Sequence, residues 1–120
     1  MRHRPVVKID ARDWLLDAAL GQCSPVTRGL WLEARLYMAA ESRASISGSL
    51  ESLARLLRCN VGHLDIACKE LAGHGIGHVS NGGGKITWSC PEMAEELKAA
   101  RERREATAKR QDQHRKRRTK

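Results

Sequence analysis

Apolar residues recur along the chain at two periods, and the change from one to the other marks out the elements. Leu50, Leu53, Ala54 and Leu57 fall at helical spacing behind Ser49, whose hydroxyl is placed to accept a free backbone N–H of the first turn. Arg58-Cys59-Asn60 interrupts the stripe, and Asn60 is a second good cap. Leu64, Ala67, Cys68 and Leu71 then fall at i, i+3, i+4 and i+7, which predicts a second helix with one buried face. Gly73 and Gly75 permit left-handed backbone and end it. Beyond them the period shortens. Ile76-Gly77-His78-Val79 and Lys85-Ile86-Thr87-Trp88 flank Asn81-Gly82-Gly83-Gly84, a hairpin signal. Two short helices with a three-residue turn, followed by a hairpin, predict a mainly α fold with a small β wing, a winged helix-turn-helix.

The flanking segments complete the organisation. Residues 1–12 read as a basic N-terminal arm around the extended-looking run Val6-Val7-Lys8-Ile9, which is able to add an edge strand to the wing sheet. Asp13 to Leu20 is a short amphipathic segment with Trp14, Leu15, Ala18 and Ala19 apolar, closed by Gly21. Ser24 caps the next predicted helix, with Pro25 at its first position, where a missing N–H costs nothing. From Val26 to Ala40 that helix is apolar on two sides. Leu30, Trp31, Ala34, Tyr37 and Met38 form one stripe, and Leu32, Leu36, Ala39 and Ala40 another. Such a helix is covered from several directions: by the N-terminal segment, the tail helix or a second copy of the chain. Glu41 to Ser47 reads as a polar loop in which Ile46 makes a one-residue strand. Pro91 opens a last helix with Met93, Ala94, Leu97 and Ala100 apolar. Beyond Ala100 no bulky apolar residue appears, and Glu105 with Lys109 gives an i, i+4 pair in the favourable order. Fraying is expected from about residue 110. The expected boundaries are an arm at 1–12, a winged-helix domain at 13–93 and a basic helical tail at 94–120.

Composition changes the picture chiefly through charge. The 120-residue chain is 41% hydrophobic, enough for one domain with a modest core, and its aromatics are only three Trp and one Tyr. The formal charge is +8, but residues 101–120 hold ten Lys or Arg against three acids, a net of +7, and residues 1–100 a net of +1. No segment approaches the length of a membrane span, and the arginine-rich start lacks the apolar region of a signal peptide. The four cysteines, at 23, 59, 68 and 90, show no CxxC pairing and point to reduced thiols in a cytoplasm.

The candidate chemistry is nucleic-acid binding. The second helix of the pair leaves Gly62, His63, Asp65, Ile66, Lys69 and Glu70 on its outer face, and in helix-turn-helix proteins the start of this helix meets base edges. Asn60 is able to read adenine bidentately, and Lys69 to reach guanine or phosphate, with His63 between them. Against this, Asp65 and Glu70 cancel the cations of that face, as on an ordinary solvated surface. The phosphate field is expected from Arg55 and Arg58 near the turn, from Lys85 on the wing, and from Arg101, Arg103, Arg104, Lys109, Arg110, Arg115, Lys116, Arg117 and Arg118 in the tail. A solubilising tail, or one that docks on an acidic protein, is the alternative. The Asn81–Lys85 run is not a P-loop, because no Ser or Thr follows and no helix opens there. Cys59, Cys68, His74 and His78 lack zinc-site spacing. No catalytic constellation stands out, so neither an enzyme nor a cofactor or metal is expected.

Asp13-Trp14-Leu15 with Asp17, then Ser24-Pro25 followed by Arg28-Gly29-Leu30-Trp31, resembles the opening of phage replisome-organiser proteins. Gly48-Ser49-Leu50 followed by Leu53-Ala54-Arg55-Leu56-Leu57 resembles them as well. These are winged-helix proteins related to the N-terminal domain of DnaD-type primosomal proteins, and the resemblance covers roughly residues 12–93. It implies DNA replication initiation in phages or mobile elements, with binding of duplex or single-stranded DNA, self-association and replication proteins as partners. A protein-interaction module that self-associates through Val26–Ala40, and a small transcription regulator of the same fold, are the competing readings.

Overall fold

The computed structural model describes residues 9–118. Six helices and three strands follow one another as α1 (Ala11–Leu16), α2 (Ala18–Gly21), α3 (Pro25–Ala40), β1 (Ser45–Gly48), α4 (Leu50–Leu56), α5 (Val61–Gly73), β2 (His78–Gly82), β3 (Lys85–Ser89) and α6 (Pro91–Arg118). The protein is mainly helical, with one small antiparallel sheet in the order β1-β3-β2. The extended run expected in the N-terminal arm lies, apart from Ile9, outside the described residues.

Polar side chains set the starts of five of these helices. Asp10, Asp17, Ser24, Ser49 and Asn60 each accept a backbone N–H of the turn they open, which satisfies a donor that the helix itself cannot. The segment expected to run from Asp13 to Leu20 is therefore broken in two at Asp17, whose carboxylate takes the Leu20 N–H at 3.0 Å. Leu15 and Leu16 stand 80% and 73% exposed on α1, and only Trp14, Ala19 and Leu20 reach the core. Helices α3, α4 and α5 end alike, in a left-handed residue with the Schellman bonding pattern. The bonds run from Arg43 N to Met38 O, Cys59 N to Ala54 O and Ile76 N to Leu71 O. Only α5 uses glycine for this, Gly75 at φ +67°. Ser42 and Arg58 take φ +52° and +56°, a conformation that costs a side chain roughly 1–2 kcal/mol. Gly73 lies inside α5 and does not supply its left-handed stop.

The core forms where α3, α4 and α5 pack beneath the sheet. Leu30, Trp31, Ala34 and Met38 meet Leu53, Ala54 and Leu57, and then Leu64, Ala67 and Leu71. Tyr37, expected in the stripe, is 38% exposed, and its place is taken by Arg35 and Thr27. On the middle strand Ile86 and Trp88 point inward, and Trp88 is opposite Ile46 on one side and Val79 on the other. The single strand residue expected at Ile46 is thus a four-residue strand. Trp88 is fully buried, its ring centroid 6.2 Å from that of Trp31. Its indole N–H donates to the Cys68 sulfur at 3.3 Å. Gly77 at φ +59° is needed here, since a Cβ would stand 2.4 Å from the Trp31 ring. The hairpin turns on Gly83 and Gly84, both with positive φ, as a two-residue turn of the primed kind requires.

Candidate nucleic-acid interface

Helix α5 begins at Asn60, and the capping geometry governs what that residue can do. Its Oδ1 accepts the His63 N–H at 2.7 Å, so the atom a bidentate adenine contact needs is engaged within the helix. One turn on, Asp65 Oδ2 lies 3.0 Å from Lys69 Nζ, an i, i+4 ion pair on the exposed face. The cation expected to reach the DNA has a carboxylate beside it. Glu70, expected on that same face, does not belong to it. Its Oε2 accepts the Ser24 N–H at 3.0 Å and lies 3.0 Å from the Ser24 hydroxyl, which is itself 3.1 Å from that of Thr27. Hydrogen bonds from Thr27 and then from Ser24 hold its carboxyl below the usual carboxylate range. Glu70 is therefore a second cap for α3 that ties α5 to the start of that helix. Of the outer face, Gly62, His63, Ile66 and Lys69 stay exposed.

The residues around the turn divide. Arg58 holds the left-handed position after α4, and its guanidinium pairs with Glu33 of α3. Arg55 is exposed in the last turn of α4. Lys85 opens β3 opposite Gly82, exposed at the hairpin tip. These three cations are spread over the helix pair and the hairpin, with Arg58 paired to Glu33.

Helix α6 is different in kind. It runs unbroken for 28 residues from Pro91 to Arg118, about 42 Å at the helical rise. Residues 110–118, where fraying is expected, are helical here, and an Asp112–Lys116 pair at 3.7 Å spans that stretch. Met93 is buried and Leu97 and Ala100 half-buried, so α6 leans on the body through its first turns, close to Ala39 of α3. From Arg101 to Arg118 every residue is exposed. The rod accounts for much of the long dimension of the molecule, 65 × 33 × 25 Å.

The charges on this rod are sorted. At about 100° per residue, Glu102, Glu105 and Asp112 fall with Lys109 and Lys116 within roughly 80° of arc. Arg103, Arg104, Arg110, Arg115, Arg117 and Arg118 occupy the opposite side, where no carboxylate falls from Arg101 onward. Arg110, Gln111, His114, Arg115 and Arg118 line a shallow groove along that side. Helical spacing alone would have exposed this sorting in the sequence, had the tail been read as one straight helix.

The other chemistries can be placed as well. Among the described residues no three His, Cys, Asp or Glu side chains gather as a metal site would need. The cysteines are free, and burial pushes the thiols of Cys23, Cys59 and Cys68 up, which favours unreactive thiols. Among the described residues no helix is long and apolar enough to cross a membrane. Arg35 is a feature the sequence reading missed. It is 9% exposed, its Nε has no hydrogen-bond partner among the described residues, and Glu92 approaches it at 4.0 Å. It lines a cavity of about 300 Å³ with Trp14, Trp31 and Gly77. No family model, curated protein or solved structure matches the chain.

Proposed function

We propose that this is a DNA-binding protein whose body is a winged helix-turn-helix. It holds the DNA backbone with the wing at Lys85 and with the arginine side of α6, away from Lys109 and Lys116. The observation that carries the reading is α6 itself, a solvated helix from Arg101 to Arg118 with six of its seven arginines on one side. Arginine and lysine that neutralise phosphates release condensed counterions, which gives strong but salt-sensitive affinity. The fold reading is supported by the order α3-β1-α4-α5-β2-β3, with β1 and the hairpin in one sheet and α4 and α5 joined by a tight turn. Initiation of phage-type or mobile-element replication in the cytoplasm, with other replication proteins as partners, rests on the sequence resemblance over residues 12–93.

The test is titration of the full chain with duplex and single-stranded DNA of the same sequence at two salt concentrations. Tight binding at low salt that falls steeply at high salt supports the reading. No binding to either at low salt overturns it. A second reading, self-association as a protein-interaction module, is favoured by the outer side of α3. There Val26, Leu36 and Tyr37 are 41%, 49% and 38% exposed. A monomer mass across the micromolar range, by sedimentation, would dismiss it. A transcription regulator with the same fold would use the same DNA surface.

A further inference from the structure

Resting on the DNA-binding reading, we infer that α6, and not α5, is the element that enters the major groove of duplex DNA. It does so with its arginine side inward and its lysine–carboxylate side facing solvent.

The two helices compete for one role, and their side chains decide between them. On α5 the polar groups work within the protein: Asn60 Oδ1 on the His63 N–H, Asp65 on Lys69, Glu70 on the start of α3. A base edge would have to break one of these contacts to be read. On α6 every residue from Arg103 to Arg118 is exposed, and the bond that Arg104 Nε donates to the Ala100 carbonyl, at 3.4 Å, stays within the helix. Its shape also fits. An α-helix with side chains is about 10–12 Å across and the B-form major groove about 12 Å wide, so the rod fits with its axis along the groove. About 27 Å of helix from Arg101 to Arg118 is then available without a break.

The order of residues along the inner side gives the contacts. Arg103, Arg104, Arg110, Arg115 and Arg118 can fork onto guanine O6 and N7 or onto flanking phosphates. Between them lie Thr107, Gln111 and His114. These carry little charge and hydrogen-bond to bases as readily as to phosphates, and Gln111 matches the adenine edge. The outer side holds the Asp112–Lys116 pair and Glu105 with Lys109, which stabilises the helix and keeps its carboxylates away from DNA. Single strands are a poorer match, because residues 101–118 contain no Trp, Tyr or Phe on which bases would stack. Duplex RNA is poorer still, because its A-form major groove is too narrow to admit a helix.

The experiment compares three full-length proteins of identical composition and net charge on one guanine-containing duplex. These are the wild type, Glu105→Arg/Arg110→Glu, which moves a carboxylate to the inner side, and Glu105→Lys/Lys109→Glu, which reverses a pair on the outer side. Circular dichroism first establishes that all three keep the same helix content; an inner exchange that loses it is replaced by Asp112→Arg/Arg118→Asp, and an outer one by Asp112→Lys/Lys116→Asp. The first exchange should weaken duplex binding by about 5- to 150-fold, the range of one bidentate arginine contact. The second should leave it unchanged, and wild type should protect guanine N7 from dimethyl sulfate. Equal affinity of all three proteins means that net charge alone holds the DNA. That result overturns the groove assignment while leaving DNA binding in place. Unprotected N7, or equal affinity for duplex RNA of the same sequence, overturns it too. Failure of the wild type to bind DNA at low salt removes instead the reading on which the assignment rests.

Discussion

Helices α5 and α6 make an instructive pair. Each carries basic and acidic residues on an exposed face, and each follows a tight connection. Helix α5 is built into the body on its other side by Leu64, Ala67 and Leu71, all fully buried. Its polar groups have been drawn into the same task, because a helix that close to α3 offers its carboxylate to a nearby helix start. Helix α6 is exposed at every residue from Arg101 to Arg118, and contacts such as Asp112 with Lys116 and Arg104 with the Ala100 carbonyl lie within the helix itself. Being exposed in a periodic pattern is thus a weaker statement than being available. What decides availability is whether a partner from elsewhere in the chain comes within hydrogen-bond reach.

The contrast can be tested first where it is greatest. Leu64→Asp places a carboxylate at a fully buried position between α4 and α5, with no partner to receive it. A cost of about 4 kcal/mol or more is expected, enough to unfold a domain of this size. Near-ultraviolet circular dichroism and the melting transition of the body should both be lost. A melting temperature equal to that of wild type would mean that α5 does not pack as described. Removing residues 101–120 should do the reverse. It takes away ten of 22 basic residues and three of 14 acids, leaving a net of +1. The body should melt as before, because α6 is solvated from Arg101 on. Duplex affinity should fall by at least about a hundredfold, with a flatter dependence on salt, as the phosphate contacts go. Undiminished affinity with the same salt slope would exclude α6 from DNA binding.

How much of this was legible beforehand depends on the range of the interaction involved. The caps at Ser24, Ser49 and Asn60, the α4–α5 pair and the glycine hairpin all rest on residues within a few positions of one another. Local chemistry was enough to place them. The ladder between β1 and β3 joins Ile46 to Trp88, and a single apolar residue in a polar run gives little hint of it. The bond from Ser24 to Glu70 spans 46 positions. Nothing near Glu70 distinguishes it from the solvated Glu51, so only the packing of α5 against α3 shows its role. Arg35 was hidden for the same reason: it sits among apolar neighbours on α3 and is enclosed by α1, α2 and the start of α6.

Glu70 offers a subtler probe of that long-range tie. Its carboxyl is held below the ordinary value of 4.5 in the folded protein by Thr27 and Ser24. The unfolded chain therefore binds the proton more readily. The resulting stability is complete above about pH 4.5 and is lost as the pH falls through the depressed value. The melting temperature should consequently decline below pH 4.5. In Glu70→Gln, which keeps the shape without the charge, that part of the decline should be absent. Identical pH profiles for the two proteins would mean that Glu70 is solvated like its neighbours and free to face a ligand.

The smallest expected effect is also the sharpest, because Asn60 can be asked separately about capping and about reading. Asparagine and serine are both good N-caps, and alanine is a poor one. Only asparagine presents the paired acceptor and donor that fit the adenine edge. If Asn60 serves α5 alone, Asn60→Ala should cost about 1 kcal/mol of stability and Asn60→Ser close to nothing. Both should bind DNA as wild type does, with the same preferred sequence from a selection of random duplexes. If Asn60 reads a base, the two substitutions should instead be equally harmful to binding at the preferred site, by about 1–3 kcal/mol. Stability would still separate them. The engagement of its Oδ1 with the His63 N–H at 2.7 Å favours the first outcome. A serine variant that is stable yet has lost its sequence preference would return the recognition role to α5 and leave α6 as a grip on the backbone.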